Sequence, residues 1–112
     1  MDKIIAKGKC LWDFYVTGKA VILDHTDLPQ DAYIGGILIV RSPSPDIVIY
    51  MNSALGVVAE TGGTLCHAAV LAMELGCPII VAADGISQKI KEGDRISIEG
   101  INGEGIIYEA TV

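Results

Sequence analysis

Residues 56–78 constrain the fold of this chain more than any other segment, because they combine a strand, a turn and a helix in a fixed order. The apolar, β-branched run at 56–60 predicts a buried strand. Gly62 and Gly63 follow it in a turn, and Thr64 fits the N-cap of a helix because a threonine hydroxyl can accept a hydrogen bond from the first helical turn. The segment therefore predicts a strand, a glycine turn and a helix that begins just after Thr64.

The end of this helix carries equally clear signals. We expect the helix to run to about Leu75, since Gly76 fits the left-handed position that follows many helices. Pro78 cannot continue a helix because it has no backbone N–H group. The apolar residues 79–82 then predict another buried strand. A strand, a helix and a second strand in this order are typical of an α/β protein.

The rest of the chain adds mainly strands. Apolar runs predict strands at 19–24, 36–41, 95–99 and 105–109, with an Asn102-Gly103 turn between the last two, and short helices are predicted from Ser44 and, after an Asp84-Gly85 turn, at 86–90. No internal repeat or low-complexity linker interrupts them. We therefore expect one domain over residues 1–112, of mixed α/β (α+β) class with more strand than helix.

The charge of the chain excludes two classes of partner. The sequence has 8 Lys and Arg residues against 14 Asp and Glu residues, which gives a net charge of −6. An acidic chain of this kind is a poor ligand for the phosphates of nucleic acid or for an anionic membrane surface. Its apolar runs are also shorter than the ~18 residues that a membrane-spanning helix needs. We therefore expect neither nucleic acid nor a membrane as a partner.

The start of the chain and the cysteines predict the compartment. Residues 1–7 lack the long apolar stretch of a secretory signal. Cys10, Cys66 and Cys77 are odd in number and widely spaced, so they form neither a disulfide framework nor a CxxC pair for zinc. We expect reduced thiols, a cytoplasmic location and no metal ion bound by this chain.

The glycine turn has the features of an anion site. With Thr64 as the N-cap, His67 is the third helical residue and lies beside N–H groups that have no intrahelical acceptor. Gly62 and Gly63 lack a Cβ atom, so the backbone can approach a phosphate closely. The hydroxyls of Thr61 and Thr64 can donate further hydrogen bonds. The turn is therefore predicted to cradle a phosphoryl group.

The histidine adds a nucleophile to this site. A neutral imidazole nitrogen can attack phosphorus and form a phosphoramidate. We expect the positive end of the helix to stabilise the charge of the phosphoryl group after transfer. His67 is therefore a candidate for covalent phosphorylation.

Other interpretations of the same residues also fit the pattern. His67 can be an ordinary histidine at a helix start, beside glycines that only make a tight turn. A zinc site from Cys66, His67 and Cys77 would need a ligand spacing unlike the common patterns. Nucleotide motifs are absent, since Gly62-Gly63 lacks the third glycine of GxGxxG and no Lys-Ser/Thr pair of a Walker loop follows it.

Residues 62–69 and 74–78 resemble the phosphohistidine, or swivelling, domain of the phosphoenolpyruvate-utilising enzymes. That family has a Gly-Gly pair, two further residues, Ser or Thr, and then His-Ala-Ala, with a helix that ends in Glu-Leu-Gly-Ile-Pro. This chain has Gly-Gly-Thr-Leu-Cys-His-Ala-Ala and Glu-Leu-Gly-Cys-Pro in the same order and spacing. A fainter similarity extends to Gly18 and to residues 35–40 and 91–96. The resemblance implies a swivelling β/β/α domain with the motif at the start of a helix.

The resemblance also implies a function. The family includes pyruvate phosphate dikinase, phosphoenolpyruvate synthase and enzyme I of the sugar phosphotransferase system, in which the domain carries phosphate on its histidine. By resemblance the phosphorylated residue is His67, and the residues around the phosphate are Thr61, Gly62, Gly63, Thr64 and Cys66. A chain with this function is a transferase or kinase component.

The partners implied by the resemblance are separate proteins. This chain has no ATP-grasp domain and no phosphoenolpyruvate-binding barrel, so we expect a stand-alone phosphocarrier, or one piece of a split dikinase or synthase. It would act with a nucleotide-binding or phosphoenolpyruvate/pyruvate-binding protein in trans. We expect no cofactor on this chain and Mg²⁺ on the partner domains.

Two departures from the family pattern support an alternative. Cys66 stands where the family usually has Ser or Thr, so a thiol replaces a stronger hydrogen-bond donor. Met73 stands where an arginine usually precedes Glu74, which removes a positive charge. The alternative is a non-catalytic swivelling module that binds an anion or a partner at this turn without being phosphorylated.

Overall fold

The computed structural model describes residues 3–23, 35–42, 47 and 50–110, and these residues form one sheet and two helices. The strands are β1 (Lys3–Lys9), β2 (Phe14–Ile22), β3 (Gly36–Val40), β4 (Gly56–Ala59), β5 (Ile79–Ile80), β6 (Arg95–Ile101) and β7 (Glu104–Glu109). The helices are α1 (His67–Leu75), which follows β4, and α2 (Ile86–Lys89), which follows β5.

The sheet has a parallel half and an antiparallel half. Its strand order is β1-β7-β6-β2-β3-β4-β5. Strands β2, β3, β4 and β5 are parallel to one another, whereas β6 is antiparallel to β2 and β7, and β7 is antiparallel to β1. The carboxyl ends of the four parallel strands therefore lie at one edge of the sheet, and the glycine turn after β4 lies at that edge.

The two ends of the sheet come together at one point. Lys9, at the end of β1, and Val81, just after β5, exchange two backbone hydrogen bonds of 2.7 and 2.9 Å. Gly8 and Gly105 are cross-strand neighbours beside this point, and both lie against the side chain of Ile80. Only glycine fits there, because a Cβ atom on Gly105 would come within 2.7 Å of Ile80 carbon atoms. The sheet therefore curls into a nearly closed barrel.

Alternation along the central strands separates two apolar clusters. One side chain set, which includes Ile37, Ile39, Val58, Ile80 and Ile98, fills the inside of the curled sheet together with α2. The other set, which includes Leu38, Val40, Val57 and Val81, packs against α1 on the outside. The two helices consequently lie on opposite faces of the sheet.

Most of the elements predicted from the sequence are present. The strands at β3, β4, β6 and β7, the end of α1 and the short helix α2 agree with the expectations. Strand β2 begins at Phe14, five residues before the predicted start, and β5 has two residues, with Val81 in the isolated bridge. Strand β1 was not predicted. The expected helix start at Ser44 and the residue Asp24 lie outside the described residues.

The mixed α/β class with more strand than helix is confirmed. Within the described ranges, neither helix is long and apolar enough to cross a membrane.

Candidate functional site

The site begins where β4 ends. Strand β4 pairs in parallel with β3 on one side and with β5 on the other, and all four of its residues are buried. Residues 60–66 leave this strand and lead directly into α1. The loop is therefore anchored at its start by a fully buried strand that is paired on both sides.

Thr61 fixes the path of the loop through hydrogen bonds to Arg41 and Ala82. Its backbone N–H and its hydroxyl both donate to the carbonyl oxygen of Arg41, at 3.0 and 3.1 Å. Its own carbonyl accepts a hydrogen bond of 3.4 Å from the N–H of Ala82, which has an unusual positive φ of 58°. The Thr61 hydroxyl therefore uses its one hydrogen on Arg41, and in this conformation Thr61 serves as an anchor of the turn.

Glu60 ties the same loop to α2. Its carboxylate oxygen accepts the N–H of Ser87 at 2.8 Å, close to the start of α2. This contact satisfies an N–H group that has no acceptor within so short a helix. Hydrogen bonding to Ser87, together with the positive charge of Arg41, lowers the pKa of Glu60 from its ordinary value. The carboxylate is thus directed to α2.

The two glycines of the turn differ from each other. Gly62 has φ of 104°, a conformation that favours glycine. Gly63 has no positive φ, and a Cβ atom added there would meet nothing within 4 Å. Both are exposed. Gly62 therefore makes the turn possible, whereas Gly63 leaves open space above the backbone.

The predicted start of the helix is wrong by two residues. Cys66, not Thr64, is the N-cap, and His67 is the first helical residue and not the third. The reason is a separate turn before the helix, in which the N–H of Cys66 donates to the carbonyl of Gly63 at 3.1 Å. The extended backbone of Cys66, with φ of −68° and ψ of 156°, then starts the helix.

This helix start is open. The Cys66 thiol makes no capping hydrogen bond, and the first turn contains no acidic side chain. The first N–H groups of α1 therefore have no intrahelical acceptor and no side-chain cap, and the helix dipole is not offset by a carboxylate. His67 projects from this point with its side chain exposed, while Ala68 and Ala69 are buried against the sheet.

The other end of α1 agrees with the sequence. Gly76 is left-handed, with φ of 73°. The N–H of Gly76 donates to Met73 at 3.2 Å, and the N–H of Cys77 donates to Ala72 at 2.8 Å. These two bonds form a Schellman motif, which ends the helix as predicted.

The three cysteines are separate from one another. Cys66 and Cys77 lie at opposite ends of α1, so they do not form a shared metal site with His67. Burial raises the pKa of Cys77 to about 11, and it also raises the pKa of Cys10. In the part of the chain that the structure describes, no group of three or more His, Cys, Asp or Glu residues could hold a metal ion.

Sequence reasoning missed four residues of this region. Arg41, Glu60 and Ala82 hold the loop, and Leu65 is 89% exposed just before the helix. The anchors gave no local signal, because each of the three contacts joins residues that are 20 or more positions apart in the sequence. Leu65 is an apolar residue, for which burial was the default expectation.

The fold and the site together define a class of protein. The curled sheet carries an exposed histidine at the open start of a helix, next to a glycine turn held by backbone hydrogen bonds. This is the arrangement expected of a swivelling β/β/α domain of the phosphohistidine type.

The comparison with known families agrees with this class. The family described as "PEP-utilising enzyme, mobile domain" matches residues 34–103, and the chain belongs to that family. The matched region contains the glycine turn and all of α1.

Individual relatives extend the similarity over the whole chain. A phosphoenolpyruvate synthase of Aquifex aeolicus (strain VF5) is 34% identical over 112 residues, which are 99% of this chain and 13% of that enzyme. The chain thus spans about one eighth of the length of this curated relative.

Two solved structures share the fold. The solution structure of an Enzyme I protein is 27% identical with a TM-score of 0.54, over 64% of this chain and 30% of that one. A UPF0107 protein, also solved by NMR, is 15% identical with a TM-score of 0.51, over 93% of this chain and 94% of that chain. The second likeness concerns the fold alone.

Proposed function

We propose that this chain is a phosphocarrier in which His67 is transiently phosphorylated. The observation that supports the proposal is the exposed imidazole at the first position of α1, beside backbone N–H groups that no side chain caps. Such N–H groups and the positive end of the helix stabilise an anion. Membership of the mobile-domain family supports the same role.

The transfer has two balanced steps. The imidazole nitrogen with the lone pair forms a bond to the phosphorus of phosphoenolpyruvate or ATP, while the P–O bond of the donor breaks and its electron pair leaves with the donor oxygen. An acceptor oxygen then attacks the same phosphorus, and the P–N bond breaks to return neutral imidazole. The donor and acceptor are held on partners in trans, which also hold the Mg²⁺ that neutralises their phosphates.

The surroundings of the phosphoryl group follow from the loop. Gly62, Gly63 and Thr64 would surround the phosphoryl group with backbone N–H groups and a hydroxyl. Cys66 would lie beside the phosphoryl group as the N-cap of α1. Thr61 would act by holding the turn in place through Arg41. We also place the carrier in the cytoplasm, since Cys10, Cys66 and Cys77 are free thiols.

The test is intact-mass spectrometry under alkaline conditions that preserve phosphoramidates. The purified chain is incubated with extract of the source cells plus phosphoenolpyruvate or ATP. We expect a gain of one phosphoryl group in the wild type and none in His67→Ala. His67→Ala has a matched control in His25→Ala, because the chain has 2 histidines, and this control should keep the adduct.

The opposite result favours the alternative. If the wild type gains no phosphoryl group from either donor while the same extract phosphorylates a known phosphohistidine protein, the phosphocarrier proposal is wrong. The open helix start would then be a site for reversible binding of an anion or a partner. Cys66 and Met73, which replace family residues, support that second function.

A further inference from the structure

Leu65 has an environment that the fold does not explain. Its side chain is 89% exposed, whereas the other exposed large apolar residues of the described ranges are between 37% and 58% exposed. It is the largest side chain of residues 61–66 and lies two positions before His67. A leucine left in water gives up the free energy that its burial would supply.

The segment of the chain around Leu65 also carries no charged side chain. Residues 61–73 contain no Asp, Glu, Lys or Arg, although the whole chain has a net charge of −6. The nearest carboxylate before this segment, Glu60, is engaged with Ser87. A protein that docks on this segment consequently meets uncharged and partly apolar side chains, with the exposed Arg41 next to Thr61 at its start.

Phosphoryl transfer determines what must cover this surface. The reacting atoms approach to about 3 Å in a productive geometry, so the donor site has to close directly around His67. Gly62 and Gly63 are exposed and present no side chains, so Leu65 is the large exposed apolar group of the loop that an incoming site would meet next to His67. We propose that Leu65 is the docking anchor of this chain, and that it inserts into an apolar pocket beside the bound phosphoryl group of the partner that phosphorylates His67.

This inference rests on the proposed function and adds the chemistry of the partner surface. The partner is an enzyme whose phosphoryl-donor site has an apolar pocket next to it. Leu65 contributes binding and orientation and has no part in the chemical step, so it is a positioning residue. A leucine in such a pocket also excludes water, which protects the phosphoramidate from hydrolysis during transfer.

The experiment compares Leu65→Ser with Leu75→Ser. Leu75 is 47% exposed at the opposite end of α1, about 12 Å along the helix from His67, and is the matched control. Each variant is first phosphorylated without any partner by potassium phosphoramidate. Each is then phosphorylated in extract of the source cells with the donor that phosphorylates the wild type, over a range of carrier concentrations.

We expect Leu65→Ser to react with phosphoramidate like the wild type. In the extract, its concentration for half-maximal phosphorylation should be at least about tenfold higher than that of the wild type. Leu75→Ser should match the wild type in both reactions, and Leu65→Met should restore the extract reaction.

Two results overturn the inference. If Leu65→Ser equals the wild type in the extract, the leucine is not an anchor. If Leu65→Ser loses the phosphoramidate reaction as well while its thermal unfolding is unchanged, it acts on His67 itself and not on docking. A wild type that no donor in the extract phosphorylates contradicts the proposed function instead, and the phosphoramidate reaction tells the two failures apart.

Discussion

The three thiols of this chain have very different surroundings. Cys10 and Cys77 are buried, at 5% and 3% exposure, and burial raises the pKa of both. Cys66 is partly exposed at the start of α1. Because the thiolate is the reactive form, burial slows a thiol both by limiting access and by disfavouring the charged state.

Alkylation should therefore be selective for one cysteine. With iodoacetamide at pH 8, we expect one alkyl group to add rapidly and the second and third to add only as the protein unfolds. Time-resolved intact-mass spectrometry measures this, and peptide mapping should place the first group on Cys66. Cys66→Ser is the control, since it should remove the fast phase; a fast phase that persists in it would contradict the assignment.

Glu60 makes stability depend on pH in a defined direction. Its pKa is lowered in the folded protein by hydrogen bonding to Ser87, from an ordinary value of 4.5. A carboxyl group with a lowered folded pKa stabilises the fold fully above the unfolded pKa and loses that contribution as the pH falls through the folded pKa. The loop would then be released from α2 in acid.

We expect the wild type to lose stability relative to Glu60→Gln as the pH falls from about 6 to 3. Urea unfolding at several pH values measures the difference, and the gap between the two proteins should narrow in acid. Glu109→Gln, an exposed carboxylate at the end of β7, is the control and should follow the wild type. A gap that does not change with pH would show that Glu60 does not act through its charge.

At the scale of elements, α1 illustrates what local sequence can and cannot decide. Its end follows from Gly76 and Pro78, because a left-handed glycine and a proline act through the backbone of their own neighbours. Its start does not follow, because Thr64 is a good N-cap by propensity. The turn closed between Gly63 and Cys66, in a loop whose path Thr61 fixes, shifts the start by two residues.

The N-cap position offers a test that separates stability from function. Cys66→Ser should place a hydroxyl where it can accept an N–H of the first turn, and it should raise stability by about 0.5–1 kcal/mol. Cys66→Asp should stabilise the helix as well, through the same bond and the helix dipole. Thermal unfolding followed by circular dichroism should show both variants melting a few degrees above the wild type, as about 1 kcal/mol implies for a domain of this size.

The two variants should differ in their chemistry. The carboxylate of Cys66→Asp occupies the position proposed for the phosphoryl group, so we expect it to slow phosphorylation by potassium phosphoramidate, while Cys66→Ser should not. Equal rates in both variants would mean that the phosphoryl group does not lie at the start of α1.

The strands also differ in whether local sequence predicts them. Strands β3 and β4 were predictable because they are short, fully buried apolar runs between turns, and the β6–β7 hairpin because Asn102 and Gly103 both take positive φ, at 52° and 83°. Strand β1 was missed because it carries three lysines and a register shift between Ile4 and Ala6, which break the alternation.

At the scale of the whole molecule, the strand order depends on contacts between distant residues. Strand β1 pairs with β7 at the other end of the sequence, and β2 lies between β6 and β3. The family resemblance predicted the fold type, but composition and periodicity predicted only the class. The candidate site shows the same division: His67 and the glycine pair were recognisable from local sequence, while Arg41 and Glu60 were not.

Gly8 is expected to be the least tolerant position of the curled sheet. A Cβ atom there would collide with the carbonyl oxygen of Val81 and approach the side chain of Ile80 to 2.8 Å. Since the first contact is with backbone, we expect Gly8→Ala to lower the free energy of unfolding by about 2–3 kcal/mol. Gly63→Ala is the matched control, because its Cβ has open space and its φ is not positive.

Denaturant unfolding of both variants measures this contrast. Gly63→Ala should unfold within about 0.5 kcal/mol of the wild type. Equal stability of the two variants would mean that the sheet does not close as tightly as the contact between Gly8 and Val81 requires.

The hydrogen bonds between Lys9 and Val81 also affect how this chain meets other copies of itself. Unpaired strand edges allow other chains to add to a sheet, and a carrier of the kind proposed above would spend part of each cycle undocked. The backbone N–H and carbonyl groups of Lys9 and Val81 bond to each other. They are therefore not available to a strand from another chain at the ends of β1 and β5. The curl of the sheet thereby blocks the addition of a strand from a second copy of the chain at this point.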